Sequence, residues 1–281
     1  MNRFGSILQG NWDWRAAGNF IFGGTGSGLL VTAAIAGSSV AVLVAIALIA
    51  VGLALVWLEI GRPWRALNVL SHPQTSWMTR ESFVALVALP LAVASLVLDD
   101  WRLLAGAGAA ALGFLYCQAR ILHAAKGIPA WREPALVPLI VVTGLAEGGS
   151  LYLVVAELSG SSSAWLVYAL IVLLALRAVA WHRYRSGLAA SGAPEQTLQT
   201  WQRMSAVFLG VGNLLPAVLL FAAVAISSYA AACVVAAACV AILGGWQLKF
   251  RLITRAAHVQ GYAIGRLHRG HPKAGDRTAR S

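Results

Sequence analysis

Apolar stretches long enough to cross a bilayer recur along the chain, parted alternately by tight turns and by longer polar connections. This rhythm constrains the fold more than any other feature. A helix needs roughly 20 apolar residues to traverse the hydrocarbon core. Spans of that kind are read at 16–36, 38–59, 81–98, 101–122, 135–156, 163–182, 203–226 and 229–250. Gly37-Ser38-Ser39, Asp99-Asp100 and Ile226-Ser227-Ser228 make the short joints, and 60–80, 123–134 and 183–202 the long ones. Composition points the same way. Of the 281 residues, 59% are apolar and 11% are charged, whereas a soluble domain carries roughly 25% charged residues. The expected fold is an all-α integral membrane protein of eight transmembrane helices. Residues 1–250 form its single membrane domain and 251–281 a basic tail. Met1 to Arg15 carries Trp12, Asp13 and Trp14 and lacks the small-residue cleavage site of a signal peptide, so the first span is expected to be permanent.

The net charge of +11 is mainly a statement about topology. Arg3, Arg15, Arg62, Arg65, Arg80, Arg120, Lys126, Arg132, Arg177, Arg183, Arg185, Arg203 and every basic residue from Lys249 onward fall on the side of the long connections. Arg102 alone faces the other way. Cytoplasmic loops collect Lys and Arg. Both termini and all long connections are therefore expected in the cytoplasm, with the chain in the inner (cytoplasmic) membrane. Nucleic acid is not the expected partner of this charge. The tail can touch anionic headgroups. Gly23 to Gly28 and Gly144 to Gly149 open the two halves, which suggests two four-helix bundles related by an axis along the membrane normal. Gly24 and Gly28 suit close helix packing.

Cys117, Cys233 and Cys239 sit inside apolar stretches at spacings that suit neither a metal site nor a disulfide framework. No iron–sulfur cluster is expected on this chain, and no haem, because none of the six histidines lies near a helix centre.

The densest polar segment is Glu59-Ile60-Gly61-Arg62-Pro63-Trp64-Arg65-Ala66-Leu67-Asn68, followed by Ser76-Trp77-Met78-Thr79-Arg80-Glu81. Glu59 closes the second span and Glu81 opens the third, with Arg62, Arg65 and Arg80 at hand to neutralise them. Tyr116, Arg120 and His123 recur at spacings of four and three, so they share a helix face. Asn19 is a buried amide on the same side that needs partners there. One site can gather Asn19, Glu59, Arg65, Glu81, Tyr116 and His123. Such a site offers donors for a carbonyl oxygen and carboxylates that exchange protons, which is what oxidation or reduction of a quinone demands. Glu147, near the middle of the fifth span, is costly at that depth and reads as functional, as an element of a proton path.

These segments resemble the DmsC/NrfD-type membrane anchor subunits of complex iron–sulfur molybdoenzymes. The likeness rests on Trp12-Asp13-Trp14 running into the Gly-rich first span, on the Glu59 to Asn68 and Ser76 to Glu81 segments, and on Pro129-Ala130-Trp131. It is continuous to about residue 150 and looser beyond. The resemblance implies a pocket for menaquinone or ubiquinone beside a ferredoxin-like iron–sulfur subunit, which links it to a molybdopterin catalytic subunit. Arg65 and Glu81 match the DMSO-reductase branch, where a histidine stands at the position of Glu59. Asn19 and Tyr116 look like the amide and tyrosine of the polysulfide-reductase branch. Thr254-Arg255-Ala256-Ala257 and Gln260-Gly261 look like the anchor of phenylacetyl-CoA:acceptor oxidoreductases. The basic groups Arg62, Arg80 and Arg120 support the pocket or dock the partner. Two other readings stand beside this one: a proton-coupled transporter of small anions using Glu147 and the arginine cluster, and a purely structural anchor.

Overall fold

A computed structural model describes residues 6–59, 68–161, 164–226 and 230–259. Arg62 and Arg65 lie outside the described residues, as does the tail beyond 259. A two-residue strand β1 (Ile7–Leu8) is followed by the helices α1 (Trp14–Ala36), α2 (Ser39–Glu59), α3 (Trp77–Leu98), α4 (Trp101–Ala124), the short α5 (Pro129–Arg132), α6 (Leu136–Leu158), α7 (Ala164–Ala190), α8 (Glu195–Ala225) and α9 (Ala230–Thr254). The strand β2 (His258–Val259) closes the described chain. Among the described residues, seven helices are long and apolar enough to cross a membrane: α1, α2, α3, α6, α7, α8 and α9. α4 is as long, at 24 residues, but carries Arg102, Gln118, Arg120 and His123. The outer surface is apolar: Leu43, Leu86, Val97, Val172 and Leu243 are among its exposed side chains. A soluble monomer does not sustain such a surface. The chain is an all-α, multi-pass membrane protein.

α1 and α6 form the centre. Of the most apolar window of each, 67% is buried, against 28% to 39% in the other spans. α1 packs on α2, α4 and α6; α6 packs on α4, α7 and α9; α3 lies on α4, and α8 on α9. Lipid supplies no hydrophobic drive between helices, so close backbone approach must supply the contact. The α1–α6 crossing does this with glycine. A Cβ on Gly28 would meet the Gly144 carbonyl, and one on Gly148 would meet the backbone of Gly28 and Leu29. Gly148→Ala is expected to cost about 1–3 kcal/mol or more through overpacking. Gly149→Ala, whose added carbon finds only Leu173 at 3.7 Å and Thr32 at 4.0 Å, is expected to be near neutral. The yield of monodisperse protein in detergent after mild heating measures both.

Two spans are not regular. α1 is π-helical over Asn19–Gly23 and α8 over Val207–Leu214. A π-turn shifts the hydrogen-bond ladder and leaves carbonyls without their usual partner. Buried side chains take them up. Gln118 Nε2 donates to Asn19 O at 3.1 Å, Asn213 Nδ2 to Phe208 O at 2.6 Å, and Arg177 Nη2 to Gly212 O.

The long connections differ from the sequence expectation. α3 starts at Trp77, four residues early, because the Ser76 hydroxyl caps its N-terminus by accepting from Thr79 N at 3.3 Å. Glu81 consequently sits one turn inside the helix and is buried, not at its exposed start. Residues 183–190 extend α7, and α8 begins at Glu195 instead of 203. Both extensions are held by an aromatic cluster in which Trp181 meets Tyr184, Trp201 and Phe208 at ring distances of 6.1, 5.3 and 4.9 Å. β1 pairs antiparallel with β2, Ile7 opposite Val259, so the described chain ends share one end of the helix array.

Candidate functional site

At the end of the array that carries β1 and β2, the first four long helices leave a cavity of about 260 Å³. α1 contributes Asn19 and Phe20, α2 Val56 and Glu59, α3 Met78 and Glu81, α4 Ile121, and the segment before α1 Trp12. Three residues singled out from the sequence, Asn19, Glu59 and Glu81, therefore line one space. Asn19 is there because the π-turn begins at it, and Glu59 stands at the end of the described part of α2. Glu81 is 5% exposed, with the side chains of Asn19 and Gln118 against its carboxylate. Among the described residues, Glu81 Oε1 and Asn19 Oδ1 are buried without a hydrogen-bond partner. Glu59 sits nearer the rim, where the charges of Asp13 and Arg15 act on it. Arg15 pairs with Asp13 at 2.8 Å and donates to Leu58 O at 3.0 Å. That hydrogen-bonded guanidinium holds the Asp13 carboxyl below the usual range.

Tyr116 and His123 do not line this cavity. Tyr116 is 42% exposed and turns to the outer face of α4, edge-on to Trp77 at 5.8 Å. Arg80 and Arg120 both stack on Trp77, their guanidinium carbons 4.2 and 4.6 Å from the ring centre, and Arg120 donates to Tyr116 Oη at 3.3 Å. Arg80 donates to the Pro73 and Gln74 carbonyls and makes no ion pair with Glu59 or Glu81. It pins the loop before α3 and does not neutralise the acids. His123 is half-buried at the end of α4, beside Arg120 and Lys126.

A second polar centre lies between α1, α6 and α9. Lys249 Nζ and Glu147 Oε2 pair at 2.6 Å with both side chains fully buried. Thr25 Oγ1 donates to the same oxygen at 2.8 Å, and Trp246 Nε1 donates to Thr25 Oγ1 at 2.9 Å. Arg177 of α7 is also fully buried and bonds Asn213 Oδ1 at 2.7 Å and Ala241 O at 3.1 Å, besides Gly212 O. Its charge is felt by both Glu147 and Lys249. Two basic side chains and one acidic one thus share this centre among the described residues.

Sequence reasoning missed Gln118, Thr25, Lys249 and Arg177 as site residues. It took Lys249 and Arg177 for helix ends in the cytoplasmic charge count. Arg177 had a usable signal, since Leu173 to Leu176 and Ala178 to Ala180 flank it with apolar residues on both sides, and a charge so placed must face protein. Gln118 had a weaker one, an amide between two small residues on a helix already marked by Tyr116 and Arg120.

Compared with models of known protein families the chain matches none, and a comparison with curated proteins gives no match either.

Proposed function

We propose that this protein is the quinone-reactive membrane anchor of an oxidoreductase complex, passing electrons between an iron–sulfur partner and the quinone pool. The observation that carries the reading is the cavity where Asn19, Glu59 and Glu81 converge against an apolar wall of Trp12, Phe20, Val56, Met78 and Ile121. Its volume is near the lower end of ligand pockets, roughly 300 Å³, and suits a ring head better than a whole lipid. The unpartnered acceptors Glu81 Oε1 and Asn19 Oδ1 fit a ligand that brings hydroxyl donors. When bound, a menaquinone or ubiquinone supplies the exchange of two electrons and two protons. Glu81 holds or releases a proton at Oε1, inside the protein. Asn19 orients the ring. Glu59, half-exposed at the rim, passes protons to water. Arg65 belongs to this reading through the resemblance alone.

The reading includes eight spans, with α4 as the eighth, in two bundles: α1 to α4, and α6 to α9. An even number of spans agrees with chain ends that pair through β1 and β2. Both ends and the cavity face the cytoplasm, by the distribution of Lys and Arg. Reporter fusions test this: a fluorescent protein after residue 281 is expected to shine, and a periplasmic phosphatase inserted at Asp99-Asp100 to be active. The inverse pattern overturns the orientation. Arg80 and Arg120, stacked on Trp77, offer a basic surface to a ferredoxin-like iron–sulfur subunit that leads to a molybdopterin subunit. The transporter reading retains the buried Glu147–Lys249 pair as its carrier. Purification from native membranes separates the two. An anchor comes out with iron-bearing and molybdenum- or tungsten-bearing partners, and quinol reduces their clusters. A chain that is stable, alone and free of such partners refutes the proposal.

A further inference from the structure

The arginines of the α8–α9 seam have no part in the quinone reading. Arg203 of α8, Arg251 of α9 and Arg255 just beyond it line one cleft of about 510 Å³, with Gln247 and Phe250. None of the three is ion-paired to a described residue. Directly beneath lies a groove of about 420 Å³, walled by Val207, Val211, Val240 and Leu243. The two spaces share Gln247. Val207 is one helical turn below Arg203, and Leu243 one turn below Gln247, so the groove continues the cleft along the helix axes. Gly212 and Gly244 floor it, because the helices touch there. It follows the π-helical part of α8.

We infer that the seam between α8 and α9 is a binding site for an anionic phospholipid, its phosphodiester held by Arg203, Arg251 and Arg255 and an acyl chain lying against Val207, Val211, Val240 and Leu243. The site has the order of charge and apolarity that such a lipid has. Three guanidiniums without ion-pair partners among the described residues sit at the polar end, where they match phosphate oxygens in bidentate geometry. Exposed valines run from there toward the middle of the span. A soluble acidic protein would use the arginines but not the groove. A free phosphate would have no use for the groove either. Basic pockets between helices on the positively charged side are where lipids with anionic heads settle. This site is separate from the cavity of α1 to α4, so it stands or falls independently of the quinone reading.

The full-length chain, purified in mild detergent, provides the test. Its thermal unfolding is followed while phosphatidylglycerol, cardiolipin, phosphatidylcholine or inorganic phosphate is added. The two anionic lipids are expected to raise Tm at low concentrations, and phosphatidylcholine and phosphate to leave it unchanged. R203Q/R251Q/R255Q is expected to need roughly a hundredfold more anionic lipid for the same shift, at about one headgroup interaction per arginine. Val240→Trp, which fills the groove but keeps the arginines, is expected to abolish the shift. An equal response to phosphatidylcholine, a full effect of phosphate alone, or a triple variant that responds like the unmodified chain overturns the proposal. So does a triple variant that keeps its lipid response and loses an acidic protein partner instead. Should the triple variant fail to fold, the four-ligand series and Val240→Trp decide the matter.

Discussion

Lys249→Met is expected to destabilise the protein by about 3–5 kcal/mol, the cost of leaving one member of a buried ion pair alone. Among the described residues, the Lys249 ammonium is the one cation within hydrogen-bond reach of Glu147, at 2.6 Å, and neither side chain touches solvent. Without it, Thr25 still donates to Glu147 Oε2, while Oε1 already has no partner. Glu147→Gln leaves the opposite fault, a Lys249 ammonium facing the Arg177 charge with no anion, and is expected to cost a similar amount. The double variant E147Q/K249M removes both faults. It is expected to cost less than either single variant, so that the coupling exceeds about 3 kcal/mol. Denaturant unfolding in mixed micelles, followed by tryptophan fluorescence, measures all four proteins. Additive costs refute the pairing. The same variants assign the role of the pair. If turnover per folded molecule survives in Glu147→Gln, the pair is structural. If it falls while cluster reduction by artificial donors persists, the carboxylate carries protons.

Much of the helix pattern was legible from the sequence, because a span announces itself by length and apolarity alone. The Gly37 and Asp99 joints are where the sequence reading has them, both with left-handed backbone at φ 76° and 51°. The places where that reading stopped short have one cause. Residues 183–202 carry Arg183, Arg185, Glu195 and Gln199, and so read as a loop, but Trp181, Tyr184, Trp201 and Met204 bury an apolar face that keeps the chain helical past the apolar run. Polarity marks the end of a membrane span and not the end of a helix. The same confusion moved Lys249 and Arg177 out of the interior. The site was legible in part: a carboxylate at a span boundary is visible in one dimension, so Glu59 and Glu81 stood out. Which faces those residues present depends on helix starts and on the π-turn at Asn19, which no hydrophobic period encodes. Tyr116 shares a helical row with Arg120 and His123, yet that row looks outward while Gln118, two residues on, looks inward at Glu81.

The two π-turns join the polar features of the interior into one scheme. Asn19–Gly23 widens α1 beside the cavity, and the carbonyl of Asn19 is tied by Gln118, the amide that also bears on Glu81. Val207–Leu214 widens α8, where Arg177 and Asn213 tie its carbonyls. In each case a buried polar side chain is held by backbone that regular helix would have kept for itself. Beside the turn in α1, Glu81 Oε1 is an acceptor without a partner among the described residues.

Glu81→Gln is therefore expected to lower quinol-linked turnover of the assembled complex by about 10²- to 10⁴-fold, the range for loss of a positioned proton donor or acceptor. Activity with a soluble dye, which enters at the metal centres, is expected to survive. The amide preserves the volume of the side chain and can still meet Asn19 and Gln118, so the fold is not the expected casualty. It cannot exchange a proton. Glu81→Asp, a shorter acid, is expected to retain part of the turnover. Asn19→Ala is expected to raise KM for quinol more than it lowers kcat, because it orients the ring without moving a proton. Glu59→Gln is expected to act more weakly than Glu81→Gln, since water at the rim can take its place. If Glu81→Gln leaves both activities intact, the cavity among α1 to α4 is not where quinone reacts. If both fall together with the recovery of partner subunits, Glu81 supports assembly, and its carboxylate has no place in the redox step.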